Sequence, residues 1–153
     1  AYRRAMDLDP GASAIPASLA ELYLDQNRPA DAQAAAEQAL RIAKDDKQAH
    51  RVLGQVYAGY ASNAQDTRAG RTSQRDNILK SIEHLEQALE SSVKMTEIDI
   101  RALLSRLYVA AEQFDKAIPL LTDIVKEAPQ WRDGPSLLVE AYNGAGKMSD
   151  AVQ

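Results

Sequence analysis

Leu53-Gly54-Gln55-Val56-Tyr57 is the stretch from which the fold can be read. Leu, a small residue and Tyr stand at i, i+1 and i+4, so the three share one face of a helix. The pattern recurs. Tyr23 and Tyr57 are 34 residues apart, and Tyr108 and Tyr142 are again 34 apart. Leu stands four residues before each Tyr, as Leu19, Leu53, Leu104 and Leu138, and is followed by Ala20, Gly54, Ser105 and Val139. Nine residues after the Tyr comes Ala32, Ala117 or Ala151, and apolar residues follow at thirteen and sixteen, as Ala36 with Ala39 and Leu121 with Ile124. Pro129 lies at twenty-one, where the first copy has Lys44.

This spacing predicts two antiparallel helices per copy. The small residues let a second backbone approach, and the Tyr ring fills the remaining space. Between Tyr23 and Ala32, Asp25-Gln26-Asn27-Arg28-Pro29 reads as a helix stop followed by a Pro suited to a first turn. Asn143-Gly144-Ala145-Gly146-Lys147 makes the same break with glycines. A single pair cannot bury its apolar face alone, so neighbouring pairs must stack.

Leu-Gly-x-x-Tyr at Leu53 to Tyr57, with the Ala and Pro that follow in other copies, resembles the tetratricopeptide repeat. The resemblance covers nearly the whole chain and implies an all-α fold, a right-handed superhelix of antiparallel helix pairs. The bulky aromatic that the family often has thirteen residues after the Tyr is Ala36 in the first copy and Leu121 in the third. The family's early Trp is replaced by Pro16, His50, Arg101 and Pro135.

A single array is expected over 1–153, divided into the end of a preceding repeat (1–12), a repeat (13–46), an interrupted repeat (47–97), a repeat (98–131) and an incomplete one (132–153). In the second copy the next match for a second helix is Ser81, Leu85 and Ala88, which comes 15 residues late. The extra segment, about 59–77, is expected to lengthen one or both helices, with a mobile tip near Ala69-Gly70 and a capping box of Ser73 with Asp76. At the ends, Tyr2, Ala5 and Pro10 match the close of a second helix, and Asp150-Ala151-Val152-Gln153 matches the opening of one. Both ends therefore read as cut from a longer array.

Composition narrows the function classes. The 153 residues are 45% hydrophobic and 26% charged, the balance of a soluble globular domain. No run approaches the ~18 apolar residues of a membrane span, and the start has no apolar targeting segment. The net charge of -4 with interspersed signs argues against a nucleic-acid partner, which needs a basic stripe. There is no Cys, so thiolate metal sites and disulfides are excluded. His50 and His84 are far apart in sequence and read as poor material for catalysis, with His84 and its Glu83 and Glu86 neighbours read as a solvated helix face. Gly144-Ala145-Gly146-Lys147 lacks the spacing and the hydroxyl residue of a phosphate loop. Trp131 reads as a seal in the link between copies. We expect no enzyme activity, no metal and no cofactor.

The resemblance implies that partners bind on the inner face, built from first-helix residues. The candidate contacts are Glu21, Asp25, Gln48, Arg51, Gln55, Asp99, Arg106, Glu140 and Asn143, with Ala17, Ala58 and Val109 among the small or apolar residues beside them. Arg51 and Arg106 suit carboxylate recognition, and the amides suit a partner's backbone. The family's clamp for acidic chaperone tails is not expected, because the matching places hold Ala17, Glu21, Val52, Asp99 and Leu103. Arg68, Arg71 and Arg75 of the extra segment are further contact candidates. The expected function is a scaffold that binds a protein or peptide partner in its groove. The alternative is a structural module that stacks through its uncapped ends, as a homodimer or an open chain.

Overall fold

The structure is a computed structural model, and it describes residues 13–89 and 94–146. The expected helix ends at Tyr2, Ala5 and Pro10 and at Asp150 to Gln153 lie outside the described residues. Seven helices, and no strand, occur among the described residues: α1 (Ala14–Asp25), α2 (Pro29–Ile42), α3 (Lys47–Ser62), α4 (Arg68–Leu89), α5 (Lys94–Ala110), α6 (Phe114–Glu127) and α7 (Asp133–Gly144). They fall into two compact units, Ala1–Ser92 with α1 to α4 and Val93–Gln153 with α5 to α7.

Just beyond three first helices, the chain reverses at the residue four after the Tyr. Asn27 and Glu112 take positive φ (57° and 58°), and Gly146 does the same (72°). The reversal lets the Arg28 N–H reach the Tyr23 carbonyl at 2.9 Å and the Gln113 N–H reach the Tyr108 carbonyl at 2.8 Å. These bonds satisfy carbonyls that a helix end leaves orphaned. Pro29 then opens α2, where its missing N–H costs nothing. The second copy has Ala61 at that position, and α3 runs on to Ser62.

The extra segment is thus mostly helix. The tip lies at 63–67, and Ala69 and Gly70 sit in the first turn of α4 rather than at a mobile tip. Ser73 is inside α4, so it caps nothing; the cap is Thr67, whose Oγ1 accepts from the Gly70 N–H at 2.9 Å. Gly70 is needed there, because a Cβ would stand 1.9 Å from the Gln65 carbonyl oxygen. The Gln74 amide donates to the Ala61 carbonyl at 3.1 Å and ties the two extended helices together.

In the first unit the core is alanine-rich. Ala17, Ala20, Ala32, Ala36, Ala39 and Ala49 are wholly buried, and Val52, Leu53 and Val56 almost so. Tyr23, Tyr57 and Tyr60 pack against this cluster from its margin. Methyl-sized side chains bring the helices close, and each buried Leu or Val adds about 1.5–3 kcal/mol. Helices α3 and α4 come close at Gly54, where an added Cβ would lie 2.4 Å from Leu85 Cδ2. Ser81 Oγ donates to the Gly54 carbonyl at 2.6 Å, and Ser81, Leu85 and Ala88 are all buried. The second-helix match displaced by 15 residues is therefore the face that packs on α3.

In the second unit Leu104, Ser105, Tyr108, Ala117, Leu121, Ile124 and Ala141 are buried. Ser105 Oγ donates to the Arg101 carbonyl at 2.8 Å, and the Arg101 guanidinium reaches Glu127 at 2.8 Å. Trp131 closes the link between α6 and α7, with its ring 3.0 Å from where a Gly134 Cβ would be.

Candidate functional site

The first helices of each unit adjoin one another, α1 with α3 and α5 with α7. Residues at corresponding inner positions of neighbouring helices can therefore reach across. In the first unit Glu21, Gln48 and Arg51 do so. The Gln48 amide donates to one Glu21 carboxylate oxygen at 2.5 Å, and the Arg51 guanidinium pairs with the other. Arg51 is about a quarter exposed and Glu21 about a third, so the cluster is reachable from solvent. Asp25 and Gln55 are exposed on the same two helices.

The second unit repeats the device with other residues. Arg106 pairs with Asp133 at 2.5 Å and lies 5.6 Å from the Trp131 ring centroid. The guanidinium thus has a carboxylate at its edge and an aromatic ring beside it. Asp99, Glu140 and Asn143 are exposed.

Two features of this face differ from the sequence expectation. Both arginines are already engaged by an acidic residue of the adjoining first helix, so neither is a free fork. Helices packed side by side place such charges at bonding distance, and periodicity within one copy does not show it. Ala17, Ala58 and Val109 are buried and so offer little surface to a groove. Val52, at one of the clamp positions, is buried as well.

Arg68, Arg71 and Arg75 are all exposed at i, i+3 and i+7 of α4, one face of the helix. Arg71 pairs with Asp66 at 2.8 Å, an exposed contact of small energetic consequence.

The two histidines are the clearest departure. They meet: His50 Nδ1 lies 2.9 Å from His84 Nδ1, and His50 Nε2 lies 2.8 Å from the Lys44 carbonyl oxygen. His84 stacks on Tyr57, with ring centroids 5.7 Å apart and planes 7° from parallel. Burial, and then His50, push the His84 imidazole below its ordinary value, against a smaller opposing pull from Glu83 and Glu37. Burial also pushes the Tyr57 phenol up. His84 is therefore not on a solvated face. The signal was available in the register: once the 15 extra residues are removed, His84 falls twelve after the Tyr and faces the first helix of its own pair. An open cleft of about 500 Å³ lies beside it, lined by Glu37, Leu40, Arg41, Lys44, Leu53, Tyr57 and His84. Among the described residues no three metal-ligating side chains converge, and no helix is long and apolar enough to cross a membrane.

Residues 1–56 match the family model for the tetratricopeptide repeat. The structure is similar to that of YrrB, described as a TPR protein with an unusual peptide-binding site, at 18% identity and a TM-score of 0.75 over 99% of this chain and 70% of that one. It is similar to the MamA protein at 20% identity and 0.70, over 99% of this chain and 73% of that one. PilW, a type IV pilus biogenesis factor, matches at 21% and 0.60, over 98% of this chain and 62% of that one. No curated protein matches the sequence. These likenesses establish the all-α, TPR-like solenoid fold.

Proposed function

We propose that this chain, which has the fold of tetratricopeptide-repeat proteins, holds a peptide or helix of a partner protein on the first-helix faces of its units. Proteins of this fold are in general interaction scaffolds without catalytic activity. The division into repeats at 13–46, 47–97, 98–131 and 132–153 belongs to the same proposal.

The observation that carries it is the meeting of Glu21, Gln48 and Arg51 across α1 and α3. Three polar side chains from two helices converge where water still reaches them. Such a cluster offers a partner both acceptors and donors in fixed geometry. A partner carboxylate must displace Glu21 from Arg51, whereas amide or basic groups can add to the cluster without breaking it. The exposed Asp25 and Gln55 favour the second kind of partner. The peptide-binding site ascribed to YrrB is in keeping with this reading.

The test is a charge swap, Glu21→Arg with Arg51→Glu, in the full chain. The swap keeps an ion pair in place, so the melting temperature should move by the small amount expected of exposed pairs, ~1 kcal/mol or less. Affinity capture from source-cell lysate should lose a partner that the unaltered chain retains. Capture of the same partner at equal yield by both proteins would contradict the proposal. A dimer by light scattering, with capture indifferent to the swap, would decide for self-assembly through the repeat ends.

A further inference from the structure

The contact between His50 and His84 has only one consistent assignment of protons while both rings are neutral. A carbonyl oxygen can only accept, so His50 Nε2 carries a hydrogen and donates it to Lys44. The Nδ1 of a neutral His50 is then an acceptor. His84 Nδ1 must carry the hydrogen shared across the 2.9 Å contact. The chain of bonds runs from His84 on α4, through His50 on α3, to the Lys44 carbonyl in the α2–α3 link. His84 can take one further proton on Nε2 without disturbing it. A proton on His50 Nδ1 is accommodated only if His84 gives up its own Nδ1 hydrogen; two added protons put a hydrogen on both Nδ1 atoms and place N–H against N–H.

We propose that His50 and His84 form an acid-sensitive clasp that locks α3 to α4 and to the Lys44 carbonyl, holds with at most one added proton, and opens when the second arrives.

The surroundings do not supply an alternative means of neutralising two charges. From α2, Glu37 and Arg41 border the same cleft as His84, and Lys44 borders it from the link. From α3, Tyr57 stacks on the ring, and Lys47 is engaged with the Gln87 carbonyl at 2.8 Å. On α4, Glu83 is adjacent in sequence, and Lys80 lies over the Tyr57 ring at 5.4 Å. Arg41, Lys44 and Lys80 offset the carboxylates of Glu37 and Glu83. Unfolded histidines charge as pH falls through about 6.5, whereas the clasp resists the second proton and His84 charges only lower. Below pH 6.5 the unfolded state therefore binds more protons, so stability is complete above pH 6.5 and declines as pH falls below it. Each excluded proton raises the unfolding equilibrium constant by up to about tenfold per pH unit.

Two measurements on the full chain test the clasp. Imidazole nitrogen shifts by NMR at pH 7.5 should show His50 unprotonated at Nδ1 and His84 protonated there. The two rings should then titrate as a coupled pair. Independent titration of both near 6.5, or a proton on His50 Nδ1, would overturn the proposal. Denaturant unfolding from pH 7.5 to 5.5 should show a steeper loss of stability than the His84→Gln variant, by close to one proton. Equal slopes would also overturn it. If His84→Gln does not fold, the NMR assignment of the unaltered chain decides alone.

Discussion

The first helix that ends at Asp25 and the one that runs on to Ser62 carry the same Leu, small residue and Tyr, yet the second continues three residues further beyond its Tyr, nearly a full turn. The difference follows from the residue four after the Tyr. Asn27 accepts a left-handed backbone and reverses the chain. Ala61, a strong helix former, keeps its right-handed conformation and is buried against the partner helix. One position therefore decides whether a pair turns at once or continues into a longer hairpin. That hairpin is what lifts Arg68, Arg71 and Arg75 into solvent.

The comparison can be broken most severely at the small residue before the Tyr. Gly54 lies under Leu85, whereas Val139, its counterpart in the last copy, is 45% exposed. Gly54→Val should cost roughly 2–3 kcal/mol in denaturant unfolding, the scale of overpacking a filled core. Val139→Gly should cost about 1 kcal/mol or less, mostly as helix propensity. Equal losses would show that the α3–α4 contact at Gly54 is not tight.

At the hairpin tip the expected effects are smaller. Gly70→Ala places a methyl on the Gln65 carbonyl and should destabilise by about 1–2 kcal/mol despite the better helix propensity of Ala. Thr67→Ala removes the cap and should cost about 1 kcal/mol. Hydrogen exchange should report both losses at the start of α4 and leave the α1–α2 link unchanged. The smallest effect sharpens the comparison from the other side. Glu112 pays for a left-handed backbone that Gly adopts freely, so Glu112→Gly should stabilise by about 1 kcal/mol. The same change at Asn27 should gain less, since Asn tolerates that conformation.

Much of this architecture was legible in the chain. The buried faces of α1 to α4 and of α6 follow the Tyr-centred spacing, and the break at Asp25 to Pro29 was marked by its own residues. The tip of the long hairpin was not legible in the same way. Ser73 with Asp76 and Thr67 with Gly70 are both plausible helix starts by sequence. Only the packing of the Gln65 carbonyl over Gly70 selects the second. Contacts between helices were the least visible. Arg51 with Glu21, Arg106 with Asp133 and His50 with His84 are each 26 or more residues apart, and a pattern that defines one helix face says nothing of what the next helix places opposite it.

Those cross-helix contacts are where the functional account rests. The most direct measurement is hydrogen exchange of the full chain with and without the partner recovered by capture. The account predicts added protection along α1 and α3 around Glu21, Gln48, Arg51 and Gln55, with the Arg68 to Arg75 face unchanged. Protection confined to α4, or none on the first helices, would contradict it.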